Sequence, residues 1–415
     1  MITAVSELFK YYSSFVDTEL LKAYVVGSRS VARDPMTHIE AAVQWICRAQ
    51  DAFEGGGVAR SYSMIYQPYF KRRGWFAPYP ETTGYIIPTL IDYARMVSSQ
   101  ELIDRALRMA DWECRVQMPS GAVQGGMIDQ ASSPAIFNTG QVIFGWIRAF
   151  KETGTQKYLD SAIRAGEFLV LEQDTDGAWR KSLSNFTDGT SMTSYTYNTR
   201  TAWALLELAM VTGSEAFKGA AVRNVEYALG EQTENGWFRS NCLTQPEHPL
   251  THTIAYCIRG IMEIGSLLKN ESFLASAGMA ADAVLARQRP DGSLAGRYNR
   301  HWEPAVSWRC LTGEAQMAGI WGRLYQLTGR PGYLEGMRKA NAGLRRVQFM
   351  RTDQPGLYGG ISGSAPIHGM YGRFEILNWA VKFFLDAQML ELSLMKKGDS
   401  RLESNDIGGF ASVNC

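Results

Sequence analysis

Three side chains in the stretch THTIAYCIRGIMEIG are spaced to act together: His252 and Tyr256 are four residues apart, and Tyr256 and Arg259 three. On a helix these positions share one face. Histidine and tyrosine can each carry a proton, and arginine can hold an acidic group in a forked pair of hydrogen bonds. His252 heads an otherwise apolar segment, where it is either a hydrogen-bonded core residue or a base kept neutral by a helix N-terminus. Three carboxyls are the matching acid candidates. Glu81 follows Tyr79-Pro80 at the head of another apolar segment, where aromatic neighbours can raise its pKa. The same position also suits an acid that merely favours the helix dipole. Glu314 stands two residues past Thr312 in an apolar segment and needs a partner, Arg309 or Arg259, unless its role is catalytic. Asp129 precedes the small-residue run ASSPA and is placed to form a cleft wall. Asp188, in NFTDGTS, reads as a turn residue.

The elements that must position these groups form two interleaved series. Six amphipathic segments end in Gln50, Gln117, Gln173, Gln232, Gln288 and Gln348, at spacings of 56 to 67 residues. Each has an apolar stripe and a charged one, the pattern of a helix with one face in solvent. Gln173, Gln232 and Gln288 lead into DTDGAW, TENGWF and RPDGSL, whose Asp-Gly and Asn-Gly pairs make tight turns. A second series, aligned on Thr83, Thr139, Thr199, Thr253, Thr312 and Asn378, is apolar almost all round and so predicts buried helices. Small residues such as Gly84, Gly140, Ala202 and Gly313 admit close neighbours, and the Thr, Asn and His residues at the heads suit N-caps. Twelve alternating helices predict an all-α (α/α)6 toroid, six inner and six outer, as one domain over 37–396. Residues 1–36 read as a leading helix and arm, and 397–415 as a flexible polar tail.

The connections are unequal. Those from outer to inner helices, roughly 51–80, 118–137, 174–198, 233–251, 289–311 and 349–377, are long and must all emerge at one end. They hold 22 of the 48 aromatic residues, and eleven Arg against two Lys. Rings stack on pyranose faces, and Arg grips carboxylate, phosphate or sulfate. A cleft of this composition suits a sugar chain with acidic groups. Its candidate binding residues are Trp75, Tyr79, Asn138, Tyr195, Tyr197, Asn198, Arg259, Trp302, Trp308, Arg309, His368 and Tyr371, with packing of loop against loop the alternative role for any single ring.

The alternating rings, with YPETTGY, NTGQ and LTGEAQM at inner-helix heads, resemble the six-hairpin toroids of carbohydrate-active enzymes. These include glycoside hydrolases, polysaccharide and uronate lyases, and glucuronyl C5-epimerase catalytic domains. The resemblance spans nearly the whole chain as architecture and implies a class of substrate rather than a reaction. The EQDTDGAW and EQTENGWF segments are similar to the glutamine–tryptophan repeats of terpene cyclases and prenyltransferases. The aspartate-rich motif of the cyclases is missing, and no Cys/His spacing fits the zinc site of protein prenyltransferases. N-acylglucosamine 2-epimerases share the fold, but their late His-Glu-Trp segment is missing here.

With 42 Lys+Arg against 41 Asp+Glu, the chain lacks the charge excess of a nucleic-acid binder. No apolar run approaches the ~18 residues of a membrane span. The start, MITAVSELFKYYSS, does not read as a secretory signal, and six unpaired-looking cysteines read as reduced thiols, which together predict a cytoplasmic protein. Neither a metal site nor a nucleotide or other cofactor motif is legible. The expectation is therefore a cofactor-free enzyme acting on an oligo- or polysaccharide, its oligomeric state open. Hydrolysis by a carboxyl pair drawn from Glu81, Asp129 and Glu314 comes first. Elimination or C5-epimerisation of a uronate by Tyr, His and Arg, with His252 and Tyr256 central, is the alternative. A non-catalytic saccharide-binding toroid in polysaccharide assembly is the rival from another class.

Overall fold

The computed structural model describes residues 34–406 except 132, 182–194 and 243, with side chains described as far as 395. Most of the expected N-terminal arm, the end of the expected tail and Asp188 lie outside the described residues.

Among the described residues twelve α-helices alternate as the two sequence series require. The outer ones are α1 (Pro35–Asp51), α3 (Gln100–Val116), α5 (Gln156–Glu172), α7 (Glu215–Gly230), α9 (Glu271–Leu285) and α11 (Pro331–Val347). The inner ones are α2 (Pro80–Val97), α4 (Ile136–Thr153), α6 (Thr199–Thr212), α8 (Thr251–Leu268), α10 (Leu311–Thr328) and α12 (Asn378–Asp406). Each inner helix packs on the next, and α12 returns to α2, so the inner ring is closed. Each outer helix covers the inner helix that precedes it in sequence, and α1 covers α12. The architecture is the expected (α/α)6 toroid. The last inner helix runs to Asp406, past residue 396 where the toroid was expected to end.

The outer-helix glutamines explain why the repeat is so regular. Gln173 Nε2 donates to the carbonyl of Gly177 in its own turn (3.1 Å) and to that of Ala220 on the next outer helix (2.9 Å). Gln50, Gln117, Gln232 and Gln288 repeat the pattern. Gln348 donates to Gly359 and back to His38 on α1, both at 2.9 Å, which closes the outer ring. The turn glycine cannot be replaced without strain. Gly292 has φ +86°, and a Cβ there would lie 2.0 Å from the Lys339 carbonyl oxygen on α11.

The heads of the inner helices differ from expectation in one respect. The residues in N-cap position include Tyr79, Ala135, Leu250 and Cys310, none with a side-chain cap. The threonines sit inside the first turn instead. There Thr83 and Thr139 accept hydrogen bonds from the backbone of Val58 and Val123 in the incoming loops, each at 3.0 Å. They serve the loops because the buried loop amides have no water to bond. Thr83, Thr139, Thr199, Thr312 and Asn378 are buried at this end, and Thr253 is half-buried.

The helical class leaves room for short strands within the long loops. β1 (Ser61–Gln67) pairs antiparallel with β2 (Arg72–Trp75) and with β5 (Glu375–Leu377), while β3 (Arg309–Cys310) pairs with β4 (Ser364–Ala365). These pairings tie the first long loop to the sixth, and the fifth to the sixth, over the mouth of the toroid. No helix among the described residues is long and apolar enough to cross a membrane.

Candidate functional site

At the loop end a cavity of about 240 Å³ opens over the heads of the inner helices. His252, Thr253 and Tyr256 of α8 form one wall, with Glu81 of α2, Phe137 of α4 and Trp379 of α12 around the ring. Loops supply Arg60, Tyr79, Tyr197, Cys242 and Tyr371.

His252 sits where α10 passes close to α8: a Cβ on Gly313 would lie 2.7 Å from the His252 amide nitrogen. Its Nδ1 is 2.7 Å from the Gln316 side-chain oxygen, so Nδ1 carries the proton of the neutral ring and Nε2 keeps a lone pair. Burial, aided by the charge of Arg200, lowers the imidazole to about 4. Desolvation is thus the leading cause of the neutral ring. Tyr256 packs against the ring, centroids 4.4 Å apart, and burial followed by the nearby Glu81 carboxyl pushes its phenol well up.

Glu81 is the second residue of α2, after Pro80 has set the helical start. Tyr79 donates its hydroxyl proton to Glu81 Oε2 at 2.7 Å, and Asn138 Nδ2 in turn donates to the Tyr79 oxygen at 3.2 Å. Burial raises the carboxyl to about 7 despite that hydrogen bond and the charges of Arg200 and Arg60. An acid with a pKa near neutrality and a neutral imidazole with a free nitrogen therefore line one small cavity.

Of the sequence candidates, Glu81, Tyr79, Tyr197, His252, Tyr256 and Tyr371 line this cavity. Asn138 stands behind Tyr79, and Tyr195 stacks on Tyr197 with centroids 5.4 Å apart. The others are elsewhere. Glu314 is fully buried in a two-pronged pair with Arg309 (2.8 and 2.6 Å) and accepts the Leu294 amide, so both residues brace the fifth loop. Asp129 pairs with Arg72 on the loop surface at 2.7 Å. Trp75 packs against Trp45 and Tyr62, Trp302 against Trp237, and Trp308 against Gly296. Asn198 is buried in the turn before α6, and His368 is exposed outside the cavity wall. Arg259 lies two turns below His252 and faces a different cavity at the opposite end of the toroid.

Among the lining residues that sequence reasoning does not single out are Arg60, Trp379 and Cys242. Arg60 bonds Glu375 at 2.5 Å through Nη1 and lies over the Trp379 ring at 5.2 Å. It was one of eleven loop arginines, with no local mark. Trp379 follows Asn378 at an inner-helix head and donates to the Tyr371 oxygen at 2.8 Å. In the sequence Cys242 is only one of six cysteines that read as reduced thiols. Burial raises it, but backbone hydrogen bonds at Gln245, Thr244 and Leu250, with the Arg297 charge, outweigh that and hold it below its usual value. Among the described residues no group of three or more His, Cys, Asp and Glu comes together as a metal would require.

Residues 77–264 match the family model of the squalene-hopene cyclase C-terminal domain, which is less than half of the chain and includes two glutamine–tryptophan turns. No curated protein matches the sequence. Solved structures match over most of their length. An unsaturated glucuronyl hydrolase specific for heparin has TM-score 0.69 at 15% identity, covering 87% of this chain and 98% of its own. The cellobiose 2-epimerase of Bacillus thermoamylovorans has TM-score 0.68 at 12% identity, covering 86% and 98%. A D-mannose isomerase has TM-score 0.65 at 11% identity, covering 87% and 97%. At such identities the likeness is one of fold, and the fold is the (α/α)6 toroid of the carbohydrate-active enzymes.

Proposed function

We propose that this chain is a carbohydrate-processing enzyme whose loop-end cavity moves protons on an acidic sugar, by elimination or epimerisation at the carbon beside the carboxylate. The observation that carries this reading is the pairing of Glu81, near pKa 7, with His252, neutral and free at Nε2, on one cavity. His252 acts as base and Glu81 as the acid that returns a proton from another side. Arg60, which among the described residues donates hydrogen bonds through Nη1 alone, supplies positive charge for the sugar carboxylate. Tyr79, Tyr197, Tyr371 and Trp379 offer ring faces and edges to the pyranose. The names of two fold neighbours, an epimerase and an isomerase, agree with chemistry of this kind.

Hydrolysis, the first choice from sequence, normally needs two carboxyls. Among the described residues Glu81 is the only one lining the cavity, with Glu314 and Asp129 engaged elsewhere. What favours hydrolysis as a second reading is the raised pKa of Glu81, which suits a general acid. Incubation with a panel of uronate-containing polysaccharides in deuterated water separates the readings. Elimination yields absorbance of unsaturated uronates, and epimerisation yields deuterium at the carbon. New reducing ends without either signal would establish hydrolysis and sink the proton-transfer reading. Binding without any turnover would leave a saccharide-binding toroid.

A further inference from the structure

A larger cavity, of about 570 Å³, enters the toroid from the end opposite the long loops. Its floor is one layer of side chains below the first cavity. Tyr256 lines the upper space, and Arg200, whose Cζ lies 5.1 Å from the Tyr256 ring centroid, lines the lower. Six basic side chains and three acidic ones line this second cavity. Glu263, behind the wall, accepts from both Arg259 and Arg323, and cations still exceed anions when it is counted.

Arg200 is the residue that the pairing leaves over. It is 4% exposed, its Nε donates to Gln141 at 2.7 Å, and among the described residues no carboxylate forms an ion pair with it. Five rings surround it, those of Tyr85, Phe144, Trp203, Tyr256 and Phe383, with centroids 5.1–5.9 Å from Cζ. Ring faces attract a cation but carry no net charge to neutralise it. Beside it, Arg259 keeps a buried Nε without a partner, and Lys382 is bonded to Asp386 alone. Burial, with the charges of Arg200 and Arg259, pulls the Lys382 ammonium down to about 8 against the opposing pull of Asp386. Of the three, Arg200 is the buried charge that faces the open cavity with no ion pair among the described residues, while Arg259 and Lys382 are paired with Glu263 and Asp386.

We propose that this lower cavity is a binding site for a small molecule bearing a phosphate or carboxylate group, held by Arg200, Arg259 and Lys382. Two arginines and a lysine line this one cavity, the combination of forked and point-charge donors that recognises oxyanions. Trp203 and Phe144, ring centroids 4.6 Å apart, give the body of such a molecule an aromatic wall.

Thermal unfolding is measured in sodium phosphate, in sodium citrate and in sodium chloride at equal ionic strength. At saturating phosphate or citrate the wild-type Tm rises on the order of 2–5 °C above chloride. The more effective of the two identifies the preferred oxyanion. The rise is lost in Arg259→Gln and in Lys382→Met, and is kept in Arg60→Gln, whose site lines the upper cavity and not the lower, each variant compared with its own Tm in chloride. Equal Tm in all three salts overturns the proposal. So does a rise that persists in both lower-cavity variants, the signature of general salting effects, or one that vanishes in Arg60→Gln. If one lower-cavity variant fails to fold, the other decides.

Discussion

At the scale of single residues, opposed pKa shifts make the cavity readable. Burial lowers His252 to about 4 and raises Glu81 to about 7, so the first is unprotonated and the second protonated between those values. kcat/KM should therefore rise as pH passes about 4 and fall as it passes about 7. A profile flat through neutrality would remove Glu81 from the acid role. His252→Ala should cut turnover by about 10²-fold or more while the Tm stays near wild type. If turnover holds and only the Tm falls, His252 is a core residue bound to Gln316 and nothing more. Glu314 contrasts with Glu81 although both head inner helices. Its oxygens are committed to Arg309 and Leu294, so Glu314→Gln should cost about 3–5 kcal/mol in denaturant unfolding. Any folded fraction should keep the pH profile of the wild type.

At the scale of elements, the glutamine and glycine at each outer-helix end form one device. Gln288 bonds two carbonyls, and Gly292 makes room for the next helix. Gly292→Ala should destabilise by more than about 2 kcal/mol, since it adds a positive-φ penalty to contact with the Lys339 carbonyl. Urea unfolding at unchanged m-value would read it. Glu113, on α3, has the opposite character: it is fully buried, neither oxygen has a hydrogen-bond partner among the described residues, and burial holds its carboxyl well above the usual range. A raised folded-state pKa stabilises below the unfolded value and loses that contribution as pH rises. The wild type should therefore lose stability relative to Glu113→Gln between pH 5 and pH 8, by at most about 1.4 kcal/mol per pH unit. Parallel curves for the two proteins would show that Glu113 does not titrate in this way.

At the scale of the whole molecule, closure governs. The inner ring closes where α12 meets α2, and the outer ring closes where Gln348 reaches His38. Neither half of a closed ring buries its own faces, so calorimetry should give one unfolding transition for residues 37–396. Two resolved transitions would split the toroid into separate domains. Closure also creates the axis on which both cavities lie, one beneath the long loops and one at the short-turn end.

The number of helices, their alternation and the end at which loops gather were legible in the sequence. These follow from local facts: a solvent-facing helix shows a charged stripe, a buried one does not, and Asp-Gly or Asn-Gly turns mark where one stops. The recurring glutamines were visible too, though not the neighbouring carbonyls they bond. What tertiary structure decided was which polar residues meet. His252, Tyr256 and Arg259 share a helical face, yet the rise along α8 carries Arg259 past the side-chain layer at the axis and into the other cavity. Glu81 and Glu314 occupy similar positions, and a nearby arginine claimed one carboxyl while the other was left to the cavity. Arg200 gave no signal beyond its place beside Thr199, because a charge on the axis is recognisable only once six helices close around it.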